Sequence, residues 1–169
     1  MTVLDDALDL VRRGFWVFPI RPNDKKPSVK EWQHAATQDP TVISGWFAVS
    51  GDRPPPNIGV STGRFKLDSA LLVVDVDVKK GKDGNQSLLH LELEGFDLPD
   101  TLTAETPTGG RHLFFSVETP VRQGTDTLGT GLDVRSRGGY VLGAGSTIDG
   151  RPYRWLLDTA IQPAPLWLR

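Results

Sequence analysis

Three short stretches of this chain set charge-handling side chains among apolar ones. The first is Leu71-Leu72-Val73-Val74-Asp75-Val76-Asp77-Val78. Side chains alternate across a strand, so Leu72, Val74, Val76 and Val78 share one face and Asp75 and Asp77 the other. Carboxylates at i and i+2 stand about 7 Å apart at their Cβ atoms. Their oxygens can converge on a pair of divalent cations about 3.5–4 Å apart. Without a cation, neighbouring carboxylates on a covered strand repel one another. Aspartate is also a poor strand former, and two of them in a valine-rich strand break the local rule. By itself the short Asp-x-Asp pattern fits an edge strand with two solvated aspartates equally well.

The second stretch is Arg111-His112-Leu113-Phe114-Phe115-Ser116-Val117, preceded by Thr106-Pro107-Thr108-Gly109-Gly110. Leu113, Phe115 and Val117 form an apolar face, and His112 lies on the opposite one. Paired glycines expose backbone N–H groups and let a ligand approach closely. Taken singly, His112 reads as a structural histidine and Gly109-Gly110 as a turn. The third stretch is Gly131-Leu132-Asp133-Val134-Arg135-Ser136. Here Leu132 and Val134 face inward, while Asp133 and Arg135 share the other side. A lone Asp–Arg pair is ordinarily a surface ion pair of little energetic weight.

The three stretches repeat one design, a plain apolar face backed by acid, imidazole or guanidinium. As neighbours in one sheet they would bring Asp75, Asp77, His112, Asp133 and Arg135 to one surface. Three carboxylates can hold two divalent cations through oxygen, as Mg²⁺ or Mn²⁺ prefer. A histidine and an arginine beside them can hold a triphosphate. Such equipment suits phosphoryl or nucleotidyl transfer.

These stretches need a scaffold, and the rest of the chain supplies its signals. Leu4, Ala7, Leu8 and Val11 recur at helical spacing, which predicts a helix over 3–13 with a Thr2/Asp5 capping box and a stop at Gly14. A buried strand follows over 15–20. Asp39-Pro40 opens a helix running to about Phe47. Residues 58–61 read as a strand, and 85–93 as a helix ended by Gly95. Short strands separated by glycine and proline are expected near 101–106, 111–117, 131–136, 139–144 and 152–157, which suggests an antiparallel sheet. The tail from Ala164 to Arg169 reads as a linker stub.

Composition sets outer limits. A length of 169 residues suits one domain with a real core. The absence of cysteine excludes disulfides and thiolate zinc sites, so no zinc is expected. No apolar run approaches a membrane span, and a cytoplasmic protein with no membrane partner is expected. Lys and Arg total 19 against 21 Asp and Glu, for a net charge of -2. Any nucleic-acid contact must therefore use a local basic patch or metal ions.

In order along the chain, these motifs resemble the bifunctional DNA primase/polymerase (prim-pol) N-terminal domain, of the archaeo-eukaryotic primase superfamily. Gly14-Phe15-Trp16-Val17-Phe18-Pro19-Ile20 with Lys25-Lys26-Pro27 and Trp32 is similar to the family's opening, and Asn57-Ile58-Gly59-Val60-Ser61-Thr62-Gly63 follows. Val73 to Asp77, Thr106 to His112, and Leu132 to Arg135 with Gly138-Gly139-Tyr140-Val141 are similar to its three catalytic motifs. The resemblance implies an α+β fold, with an RRM-like antiparallel palm (mainly 64–160) packed on a smaller N-terminal α/β part (mainly 1–63). It implies that Asp75, Asp77 and Asp133 bind two metals, Mg²⁺ or Mn²⁺. It implies that His112 contacts the incoming nucleoside triphosphate, with Arg135, Thr108, Gly109, Gly110, Lys25 and Lys26 as further nucleotide or template contacts. The implied partners are a single-stranded DNA template and a fused or separate helicase or helical accessory domain. Where relatives carry a serine two residues before the histidine, this chain has Gly110. A metal-dependent phosphodiesterase or nuclease could use the same carboxylates, and a non-catalytic nucleic-acid-binding domain could keep the same fold.

Overall fold

The computed structural model describes residues 1–169. The elements in order are α1 (Val3–Arg12), β1 (Phe15–Ile20), α2 (Trp32–Ala35), α3 (Pro40–Phe47), β2 (Asn57–Phe65), β3 (Ala70–Val76), β4 (Val78–Lys79) and β5 (Lys82–Asp83). Then come α4 (Gly84–Leu93), β6 (Thr103–Glu105), β7 (Arg111–Val117), β8 (Gly124–Gly129), β9 (Leu132–Arg135) and β10 (Tyr140–Leu142). The chain closes with β11 (Thr147–Ile148), β12 (Arg151–Pro152), β13 (Arg154–Leu157), β14 (Gln162–Pro163) and a 3₁₀ turn at Leu166–Leu168. With four α-helices and mostly antiparallel pairing, the fold is α+β.

Local chemistry fixes the first helices. Thr2 closes a capping box on α1: its hydroxyl accepts from the Asp5 N–H at 3.2 Å, and its own N–H donates to the Asp5 carboxylate at 2.7 Å. Asp39 caps α3 by accepting from the Thr41 N–H at 2.8 Å, with Pro40 in the first turn.

Two sheets stack on a common core. The smaller has the order β1-β2-β10, so its third strand returns from late in the chain. The larger runs β13-β6-β7-β3-β9-β8, with β14 parallel to one end of β7. Phe15, Val17, Ile58, Val60 and Val141 of the smaller sheet pack with Leu71, Val73, Ala104 and Phe114 of the larger, and with Leu102 just before β6. On the far side of the large sheet, Leu72, Val74 and Val76 pack with Leu88 of α4, Leu132, Val134 and Ala164.

β3 is thus apolar on both faces along most of its length. Leu71 and Val73 lie on the Asp75 side but are buried under the smaller sheet, and that face reaches solvent only at Asp75. The strand ends at Val76, short of the expected Val78. Asp77 lies just past it, its N–H donating to the Gly131 carbonyl and its own carbonyl accepting from the Gly84 N–H, both at 2.8 Å.

Other differences have physical causes. β8 carries the polar run Gly-Thr-Asp-Thr-Leu-Gly at a sheet edge, so no apolar alternation announces it. The expected strand near 139–144 exists but joins the smaller sheet, through Val141↔Val60 and Leu142↔Gly59. The tail is not a linker stub. Ala164 is fully buried and its N–H donates to the Ser116 carbonyl at 2.9 Å, Leu168 is buried, and the Trp167 indole donates to the Asp97 carbonyl.

Candidate active site: an acidic cleft between the sheets

β7, β3 and β9 lie side by side, which gathers the three sequence stretches. In the ladder Asp75 stands opposite His112 on one flank and Asp133 on the other. Directly opposed residues bring their Cβ atoms to about 4.5–5.5 Å. An open cleft of about 370 Å³ begins here and extends toward the smaller sheet. Its walls include Asp75, Asp77, His112 and Arg135 from the large sheet, and Gly139, Tyr140 and Lys25 from the other side. A smaller recess of about 80 Å³ adjoins it, lined by Thr106, Pro107 and Thr108 together with Asp75, Asp77 and His112.

The His112 Nε2 lies 3.4 Å from the Asp75 carboxylate. Burial alone would push the Asp75 carboxyl up. The His112 hydrogen bond and charge, with Arg135 and Lys25 behind them, outweigh burial and hold it below the usual carboxylate range. The His112 Nδ1 is buried without a partner, which is costly unless something in use completes it. Asp77 is half-exposed, with the Lys79 ammonium 3.2 Å away.

Asp133 is placed differently. Its side chain is only 4% exposed and is fully engaged: Arg135 donates to one oxygen at 2.7 Å and the Asp126 N–H to the other at 2.8 Å. Asp126 is itself anchored by Lys82 at 2.9 Å and by the Gly131 N–H at 2.7 Å. No three carboxylate or imidazole side chains are gathered closely enough to hold a metal ion in this conformation. Asp75 and Asp77 share the cleft wall and offer oxygen ligands suited to a hard divalent cation. Asp133, next to Asp75 in the ladder, would join them only by releasing Arg135.

The remaining expected residues divide. Lys25 and Arg135 line the cleft and Thr108 the recess, whereas Lys26 is exposed and lines neither. Gly109 and Gly110 shape the turn. The Gly109 N–H, expected to be free for a ligand, donates instead to the Thr106 carbonyl at 2.9 Å, in a left-handed conformation with φ +84°. Gly110 packs on β3, where a Cβ would run into the Val76 carbonyl oxygen. A serine at this place would have no room here.

Two cleft residues carried no sequence signal. Tyr153 lines both cavities, with its ring tilted against His112 at 5.7 Å. Burial first, then the Asp75 and Asp77 charges, push its hydroxyl up to about 12. Gln123 lines the cleft with a buried, unpartnered amide oxygen. Both sit in short polar segments where spacing is uninformative.

An α+β domain with carboxylates, imidazole and cations converging at the centre of an antiparallel sheet has the makings of a phosphate-handling enzyme. The chain matches the profile of the bifunctional DNA primase/polymerase N-terminal family over residues 7–167, and it belongs to that family. The family is one of DNA primases and polymerases, hence of nucleotidyltransferases. No curated protein sequence matches the chain. No helix is long and apolar enough to cross a membrane.

Proposed function

We propose that this domain performs template-directed nucleotidyl transfer as the primase/polymerase of a phage-, plasmid- or prophage-type replication system, with the large sheet as an RRM-like palm. The observation that carries the reading is Asp75 flanked in one ladder by His112 and Asp133, at the head of a cleft also lined by Lys25 and Arg135. In the reaction a strand's 3′-oxygen forms a bond to the α-phosphorus of a nucleoside triphosphate. The bond from that phosphorus to the β-bridging oxygen breaks, pyrophosphate leaves, and the hydroxyl proton passes to solvent.

Asp75 and Asp77, with Asp133 once Arg135 releases it, would hold two Mg²⁺ or Mn²⁺ ions. Bound there, such cations make a hydroxyl easier to deprotonate and offset charge on pyrophosphate. The chain's own residues do the rest. Lys25 and Arg135 attract the triphosphate into the cleft. His112, braced by Asp75, Phe114 and Tyr153, presents a ring that can donate to a phosphate oxygen. The Thr106–Thr108 turn walls the recess beside it. The template would be single-stranded DNA, and a fused or separate helicase or helical domain would assist it in a cytoplasmic replisome.

The test is primer synthesis and extension on defined single-stranded templates with Mn²⁺ and each nucleotide type. New strand made by the wild type and lost in Asp75→Asn supports the reading. Strand loss without synthesis would make the domain a hydrolase instead.

A further inference from the structure

The cleft does not end at its own walls. Gly138 lines it, and a second open cavity of about 380 Å³ begins on the other side, lined by Gly63, Trp16, Arg64 and Lys66. Two glycine backbones meet between them: a Cβ on Gly63 would sit 3.6 Å from the Gly138 nitrogen, and one on Gly138 would meet nothing within 4 Å. Gly63 and Gly138 form a saddle there, with the Gln123 amide and the Thr62 hydroxyl against the adjoining Gly139.

Cations border this saddle. The Arg64 guanidinium stacks over the Trp16 ring at 4.9 Å, and the Trp16 indole donates to the Lys66 carbonyl at 3.3 Å. Arg137 rests on the rim through its hydrogen bond to the Pro120 carbonyl at 3.0 Å, and exposed Arg122 lies two residues from that proline. None of these four cations has a carboxylate within 4.0 Å, whereas Arg12, Arg13, Lys79, Lys82, Arg135 and Arg154 all do. Asp68 and Glu118 also line the second cavity, so the stretch is net positive. In a chain of net charge -2 that is a local concentration, and the segment 92–100 balances it with Glu92, Glu94, Asp97 and Asp100 and no basic residue.

We propose that single-stranded DNA leaves the Asp75 cleft across the Gly63–Gly138 saddle and runs over Trp16, with Arg64, Lys66, Arg122 and Arg137 on its phosphates. A groove with cations along the backbone path and an aromatic–guanidinium stack for the bases is what sequence-tolerant single-strand binding requires. The identification of the strand as template rests on the nucleotidyl-transfer reading.

The experiment titrates labelled oligo-dT with the full chain at several salt concentrations and, in parallel, measures extension against template concentration. Each phosphate contact on a single strand contributes about 0.7 to the salt slope, or about fivefold in affinity at 0.1 M salt. The triple variant Arg64→Ala/Lys66→Ala/Arg122→Ala is expected to bind about a hundredfold more weakly, with a slope shallower by about 2. Template KM should rise in parallel while kcat at saturating template holds. Trp16→Phe should keep affinity, and Trp16→Ala, checked for folding by circular dichroism, should lose roughly tenfold. Arg53→Ala/Arg169→Ala, away from the track, should match the wild type. No oligo-dT binding by the wild type at low salt overturns the proposal, as does equal loss in the triple and control variants, or an unchanged template KM in the triple. A wild type that binds oligo-dT along this track yet never extends it would sink the nucleotidyl-transfer reading and leave the track standing.

Discussion

Replacing Arg135 by leucine tests how Asp133 is held. The Asp133 side chain is 4% exposed and that of Arg135 32%. Removing the guanidinium leaves a buried carboxylate with the Asp126 N–H as its one remaining donor. Breaking a buried pair from one side costs about 3–5 kcal/mol, and the partial exposure of Arg135 places this case near 3. For a domain of this size, that lowers Tm by about 6–12 °C. A divalent cation binding the freed carboxylate together with Asp75 should recover much of the loss. At a hundredfold excess over its Kd the gain is about 2.7 kcal/mol. In the wild type the ion must first displace Arg135, so Mn²⁺ should raise the variant's Tm more than the wild type's. Thermal denaturation with and without Mn²⁺ reads both effects. An unchanged Tm in Arg135→Leu would show the pair to be energetically idle. A fall that Mn²⁺ corrects no better than it stabilises the wild type would remove Asp133 from the metal set.

Further expectations follow from the same geometry. Asp75→Asn and Asp77→Asn should abolish nucleotide addition while circular dichroism stays native, and activity in either would take that residue out of the site. His112→Ala should lower catalytic efficiency for the triphosphate roughly ten- to hundredfold, the worth of a hydrogen bond to a charged group, and unchanged steady-state kinetics would reject the contact. Tyr153 should titrate at about 12 in the folded chain, so its neutral phenol stabilises the fold fully below the ordinary value of 10.0, a contribution lost as pH rises through 12. Near-ultraviolet titration of the two tyrosines checks this: Asp75→Asn should bring the Tyr153 step down while burial keeps it above 10, and a Tyr153 step at 10 in the native wild type would contradict the burial. Leu168→Ala should cost about 2 kcal/mol in urea denaturation because its side chain is buried beneath the large sheet, and a neutral result would return the tail to linker status.

Much of the candidate site's geometry was legible in residue order, for a specific reason. Alternation in 71–78, 111–117 and 132–135 states which side chains share a face, and ladder neighbours then bring Asp75, His112 and Asp133 together. Alternation says nothing about what else lies on that face. Leu71 and Val73 could not be assigned a second core from β3 alone, since the burying surface comes from β1 and β2. Nor does it say how a side chain is engaged: the Asp133–Arg135 bond depends on Asp126, held at a positive φ in an edge strand with no apolar signature. Tyr153 and the packed tail were missed because their partners are distant in sequence and their own segments are polar or proline-broken. The helices were legible at their starts, where Thr2 and Asp39 carry local caps.

The seam between the sheets bears on motion. Phe15, Val17, Val60 and Val141 interdigitate with Leu71, Val73 and Phe114, and the Ser136 hydroxyl ties β9's end to the Leu71 carbonyl at 2.8 Å while its carbonyl accepts from Thr62. Close-packed interfaces of this kind do not slide continuously. Hinge closure of one sheet over the other is therefore disfavoured, and the width of the cleft is set in advance. On the nucleotidyl-transfer reading, adaptation to a correct or incorrect nucleotide would fall to exposed Lys25, whose side chain moves in nanoseconds rather than the microseconds to milliseconds of domain rotation. On the same reading, discrimination would rest on fit within a rigid slot rather than on a closing step.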